Sequence, residues 1–179
     1  MHTLYLLRHA KSSWADPTLP DRERPLAPRG RRDGKRIAKH LVQLGIEPEL
    51  VLCSSAERTR ETLELMRLGL SATSTVMLEK ELYAASSDRL LERIRAVPEA
   101  VTSVMLVGHN PGLQDLALAL TSAGAELERL KAKFPTAALA TLALLEQRTR
   151  RARRRPGTAR SKLCSEARAS QAPPSGTSP

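Results

Sequence analysis

Arg8-His9 closes a short apolar run near the N-terminus, Ser54, Ser55 and Arg58 follow a second run, and Gly108-His109 closes another. Histidine at a strand end can serve as nucleophile or proton carrier, while arginine presents a planar fork of donors that matches phosphate oxygens in pairs. Two histidines and two arginines in such positions, with no comparable carboxylate cluster beside them, describe a positive pocket that wants an anion. A helix beginning just after Ser54 would add backbone N–H donors and the positive end of its dipole. Phosphate is the anion this set serves best. A cation site is disfavoured, because no HxH, HExxH or CxxC spacing accompanies the histidines. The two remaining histidines have structural readings: His2 at a strand start and His40 on the polar side of a helix.

These side chains matter only if the chain brings them together. Short apolar, β-branched runs recur at Leu4 to Leu7, Leu50 to Cys53, Thr75 to Leu78, Val104 to Val107 and Ala138 to Leu145, with helical spacing between them. That alternation predicts an α/β class, a three-layer α/β/α domain on a mainly parallel sheet of about five strands, with ligands at the strand carboxyl ends. Between Arg29 and Leu44 the apolar positions Ile37, Ala38, Leu41 and Leu44 share a helix face, with Pro28 before it and Gly45 after it. Ser54-Ser55-Ala56-Glu57 reads as a capping box for a helix carrying Arg58, Thr62, Leu63 and Met66. A further helix follows Ser87, with Leu90, Leu91 and Ile94 on one face, and Pro111 or Gly112 starts another bearing Leu113, Leu116, Ala117 and Leu120. The stretch from Asp16 to Pro28 holds four prolines and is too long for a simple connection, so it is expected to border the site.

Composition divides the chain. Of 179 residues, 29 are Lys or Arg and 19 Asp or Glu. Met1 to Gln147 carry 20 basic and 18 acidic residues, whereas Arg148 to Pro179 carry 9 and 1. The reading is therefore a domain over residues 1–147 and a basic Arg/Ser/Pro-rich tail over residues 148–179, expected to be disordered. The larger part is long enough to bury a core of its own. Cys53 in an apolar run and Cys164 in the tail make no disulfide scaffold, and no run of 18 apolar residues occurs, so a soluble, cytoplasmic, monomeric protein away from membranes is expected. Six arginines between Arg148 and Arg155 could hold nucleic acid or another acidic surface weakly, although no aromatic residue is interleaved to stack on bases.

Four blocks carry a resemblance: LYLLRHAKSS, ERPLAPRG, LCSSAERTRET and VMLVGHNPGL, in that order. Together they resemble the histidine phosphatase superfamily, also called phosphoglycerate mutase-like, over about Thr3 to Leu145. The Arg-His-Ala-Lys form and the short loops are most similar to SixA-type phosphohistidine phosphatases. The resemblance implies a phosphatase without cofactor or metal, acting on a phosphorylated protein or a small-molecule phosphate. It implies that His9 is the nucleophile and becomes phosphorylated, that Arg8, Arg58 and His109 bind the phosphoryl oxygens, and that Arg24 also touches phosphate. Family members acting on esters protonate the leaving oxygen with a carboxylate; Glu81 is the candidate here, with Asp16, Asp21 and Glu23 as alternatives. A closing hairpin strand is expected after Ala138 to Leu145, but the Arg-rich tail stands there instead, so the final hairpin reads as missing and the edge as exposed.

Overall fold

The computed structural model describes residues 1, 3–121, 125–144 and 165–170. Strand and helix alternate as β1 (Thr3–Arg8), α1 (Pro28–Leu44), β2 (Leu50–Ser54), α2 (Glu57–Met66), β3 (Thr75–Glu79), α3 (Ser87–Arg95), β4 (Ser103–Gly108), α4 (Gly112–Leu120), α5 (Ala125–Ala132), β5 (Leu139–Leu144) and β6 (Ser165–Ser170). They form one sheet in the order β3-β2-β4-β1-β5-β6. β1, β2, β3 and β4 pair in parallel, and β5 joins β1 antiparallel.

The apolar runs lie in the middle of the sheet because both of its faces are covered. Leu4, Leu6, Leu50, Leu52, Val104 and Leu106 pack with Leu90, Ile94, Leu113 and Leu116 of α3 and α4. Their neighbours Leu7, Val51, Cys53, Met105 and Val107 point the other way, onto Ile37, Ala38 and Leu41 of α1 and Leu63 and Met66 of α2. The period-2 alternation along each strand thus produces the three layers. Cys53 is fully buried and its thiol is pushed up to about 12 by burial, so it is a small core residue with no thiolate chemistry at neutral pH.

Helix boundaries follow the sequence signals with two corrections. Pro28 opens α1 at its first turn, and Gly45, at φ 61, closes it with its N–H bonded to Leu41 and Val42 carbonyls. Leu44, counted with the apolar face, is instead 51% exposed at the helix end. The expected capping box at α2 does not form either: the N-cap is Ala56, with no side-chain capping bond. Ser54 is still extended in β2, and the hydroxyls of Ser54 and Ser55 are engaged by His109 and Arg22.

The sheet ends differently from expectation too. β6 pairs antiparallel with β5 from Leu139↔Ser170 to Leu144↔Ser165, so a closing strand is present, taken from within the basic segment. Ladder bonds are made by backbone groups, and a polar sequence supplies them as well as an apolar one. The rest of the tail, with Arg148 to Arg155, Cys164 and any polyanion contact, lies outside the described residues, as does His2. Among the described residues no helix is long and apolar enough to cross a membrane.

Candidate active site

The carboxyl ends of β1, β2 and β4 meet at a cavity of about 450 Å³ whose wall includes Arg8, His9, Arg24, Arg58 and His109. The parallel pairing sets this up: β1 and β4 run in register from Thr3↔Ser103 to Arg8↔Gly108, so Arg8-His9 and Gly108-His109 end side by side. The His9 N–H donates to the Gly108 carbonyl at 3.1 Å, and the two imidazole centroids lie 5.1 Å apart.

His9 is 7% exposed, and its Nδ1 lies 2.8 Å from the carbonyl oxygen of its neighbour Ala10. A carbonyl only accepts, so Nδ1 carries the proton. Burial, helped by the Arg58 and Arg8 charges and opposed by the Ala10 bond, lowers the His9 pKa to about 4. The ring is therefore neutral near pH 7, and its lone pair is on Nε2. The backbone around it is pinned: the Ala10 N–H donates to Thr62 Oγ1 at 3.0 Å, and the Thr62 hydroxyl donates to the Arg58 carbonyl at 2.6 Å. Behind the same segment, Gly30 of α1 passes so close that a Cβ there would collide with the Lys11 carbonyl oxygen.

His109 is likewise 7% exposed. Burial, then the neighbouring His9 and Arg58, lowers its pKa to about 3, so the His109 ring is neutral near pH 7. Its Nε2 lies 2.8 Å from Ser54 Oγ, and the Tyr83 ring meets it edge-on at 5.5 Å between centroids. Among the described residues Nδ1 of His109 and Nε of Arg8 are buried without a hydrogen-bond partner. Arg8 otherwise donates from Nη1 to the Phe134 carbonyl at 2.7 Å, which ties the cavity floor to the segment before β5.

Arg58 comes from the first turn of α2 and is also buried. Its Nη2 reaches Asp21 Oδ2 at 2.8 Å, and Nη1 donates to the Asp21 carbonyl. Asp21, on a 3-10 turn over Asp21–Glu23, also accepts from Arg24 Nη1 at 2.9 Å and from the Tyr83 hydroxyl at 2.8 Å. Burial works against its charge, but these donors outweigh it and hold the carboxyl at about 2. Arg24 is 5% exposed and donates further to the Ser13 carbonyl and to Ser12 Oγ, each at 3.0 Å. The proline-rich loop does border the site, and Glu61 of α2 clamps its end by accepting from the Leu26 N–H at 2.7 Å and from Arg31 at 2.8 Å.

Of the residues singled out in the sequence, Arg8, His9, Arg24, Arg58 and His109 converge. Glu81 does not. It sits on a 3-10 turn over Lys80–Leu82 with its side chain in solvent, and the cavity wall is supplied by Tyr83 and Ala84 beyond it. The exposed position follows from the turn, which buries Leu82 and turns its neighbour outward. Sequence reasoning missed the anchoring parts of Thr62, Glu61 and Ser54, and it missed Tyr83 and Trp14 altogether; the block around Arg58 held the first three, but only their partners reveal what they do.

The chain's likeness to known proteins agrees with this arrangement. A family model described as the histidine phosphatase superfamily, branch 1, matches residues 4–83. A SixA protein from Agrobacterium tumefaciens, assigned as a phosphohistidine phosphatase, is 36% identical with a TM-score of 0.72, over 79% of this chain and 91% of its own. This chain belongs to the histidine phosphatase superfamily. Within it the chain is SixA-like: the protein histidine phosphatase SixA in complex with tungstate is 25% identical, with a TM-score of 0.68 over 79% of this chain and 88% of its own. An uncharacterized protein of Mycobacterium leprae is 37% identical over 142 residues, which are 76% of this chain and 86% of that relative. The histidine phosphatase block with Arg8, His9 and Arg58 falls inside the matched stretch, whereas His109 lies beyond it and joins them through the β1–β4 pairing.

Proposed function

We propose that this histidine phosphatase transfers a phosphoryl group from its substrate to Nε2 of His9 and then to water, and that the substrate is phosphohistidine of a protein or a small phosphorylated molecule, with the former favoured. The observation that carries the reading is the His9–Ala10 hydrogen bond, which leaves an unprotonated Nε2 in a cavity lined by arginines. In the first step Nε2 attacks phosphorus, the P–Nε2 bond forms, and the bond to the leaving group breaks. In the second, water attacks phosphorus, the P–Nε2 bond breaks, and inorganic phosphate departs.

Charge spreads over the equatorial oxygens in such a transfer, and stabilising it is most of the catalytic task. Arg8 and Arg58 on the cavity wall support this role, and the buried, unpartnered Nε of Arg8 and Nδ1 of His109 are polar atoms that an oxyanion would satisfy. A dianion beside His109 also favours protonation of that ring. Arg24, spent on Ser12, Ser13 and Asp21, acts on phosphate through the loop it holds. That the related SixA protein binds tungstate, itself an oxyanion, supports reading this chain as an oxyanion binder.

Phosphohistidine is favoured by the proton inventory. Asp21 is an anion near pH 7 and has no proton to give, and Glu81 is away from the cavity. An alkyl ester must expel a basic alkoxide and needs an acid, whereas a phosphoramidate protonated on its ring leaves as neutral imidazole. The reading is tested by quenching turnover of phosphohistidine under alkaline conditions and locating phosphate on the protein, with and without EDTA. Phosphate on His9, a turnover-dead His9→Ala and a rate indifferent to EDTA are expected; phosphate on Ser54 or Ser55 with His9→Ala still active overturns it.

A further inference from the structure

Trp14 is the chain's sole tryptophan, it lines the cavity, and it is 70% exposed. Tryptophan side chains are among the most heavily buried on average, because the indole is large and mostly apolar. This one is both exposed and held. The Arg24 guanidinium lies over it with Cζ 3.1 Å from the ring centroid, and that guanidinium is itself 5% exposed and hydrogen-bonded to Ser12, Ser13 and Asp21. One indole face is therefore backed by a fixed cation, and the exposure of the side chain is on the other. A flat surface in a set orientation costs little entropy when a ring stacks on it.

Resting on the phosphatase reading above, we infer that Trp14 is the leaving-group platform: its open face stacks on a planar ring carried by the phosphoryl group, which makes the enzyme select imidazole and aryl phosphoryl compounds over flexible alkyl phosphates. The position suits this role, since the phosphoryl group is drawn to His9 and the arginines inside the cavity and the rest of the substrate must leave by its mouth. Tyr83, the other aromatic residue on the cavity wall, has its hydroxyl on Asp21 and packs T-shaped against His109, which leaves the stacking surface to Trp14.

Phenylphosphonate and propylphosphonate, neither of which is hydrolysed, separate ring recognition from catalysis. Titrated into the wild-type protein, phenylphosphonate should bind about ten-fold more tightly than propylphosphonate and change the fluorescence of the single tryptophan. By calorimetry, Trp14→Ala should remove that preference while leaving the affinity for inorganic phosphate within about two-fold, and Trp14→Phe should keep most of it. Equal binding of the two phosphonates by the wild type overturns the inference. So does a Trp14→Ala variant that loses ring phosphonate and inorganic phosphate in equal proportion, because Trp14 would then only buttress Arg24. A wild type that prefers the ring phosphonate but turns over no phosphorylated compound would keep the platform and refute the phosphatase reading.

Discussion

Asp21 and Arg58, brought together from the proline-rich loop and from α2, meet twice: the guanidinium donates to the Asp21 carbonyl and to its carboxylate, the latter at 2.8 Å. The carboxylate also holds Arg24 and Tyr83, so one anion sets the orientation of two cavity arginines and one aromatic ring. Held at about 2, it serves as a positioning charge. Asp21→Asn should lower kcat/KM by about ten-fold for phosphoramidate and alkyl ester alike, the cost of loosening Arg58. A loss confined to esters, with a changed alkaline limb in the pH profile, would mark Asp21 as a proton donor instead.

Ser54 and His109 form the second pair. The hydroxyl at 2.8 Å from Nε2 sets the ring's orientation at the end of β4. Ser54→Ala leaves a buried imidazole nitrogen without its partner, a loss of about 1–2 kcal/mol, and should reduce kcat/KM by roughly ten-fold with little change in the fold. Steady-state kinetics with circular dichroism on the variant checks both halves of that expectation.

The histidines carry a pH signature. Burial keeps His9 and His109 neutral, with pKa values of about 4 and 3, while an unfolded histidine titrates near 6.5. Below that value the unfolded chain takes up protons that the native site refuses, so each lowered pKa removes stability as pH falls and none above it. Between about pH 7 and pH 5 the loss should be on the order of 1 to 2 kcal/mol per histidine. Denaturant unfolding should show the wild type gaining about 1 to 2 kcal/mol of stability relative to His9→Ala as pH rises from about 5 to 7. In NMR titrations of the free enzyme neither ring should take up a proton above about pH 5.

Glu81→Gln should change kcat and KM by less than about two-fold for any substrate, because the side chain is in solvent and outside the cavity. A selective collapse of alkyl ester hydrolysis in this variant would show that the turn over Lys80–Leu82 moves Glu81 inward when substrate binds.

The amino-acid sequence by itself determined the layers and the edge of the sheet where the candidate site lies. Apolar runs such as Leu4 to Leu7 and Val104 to Val107 are buried on both faces, and that burial forces each strand's carboxyl end, with Arg8-His9 or Gly108-His109, to the rim. Periodicity is local, so it is visible along the chain. The tertiary structure alone decided which polar groups face one another. Asp21 and Glu81 are both carboxylates in polar, charged stretches, and their sequence surroundings look alike; Arg58 and Tyr83 from distant segments, with Arg24 three residues on, make the first an anchored anion, while the second meets solvent. Ser54 looked like a helix cap because its sequence neighbours fit one, yet His109, 55 positions away, takes its hydroxyl. The tautomer of His9 and the exposed face of Trp14 are also set by contacts that close only on folding, and so is the β5–β6 pairing, since backbone groups in a polar segment carry no pattern that announces a strand.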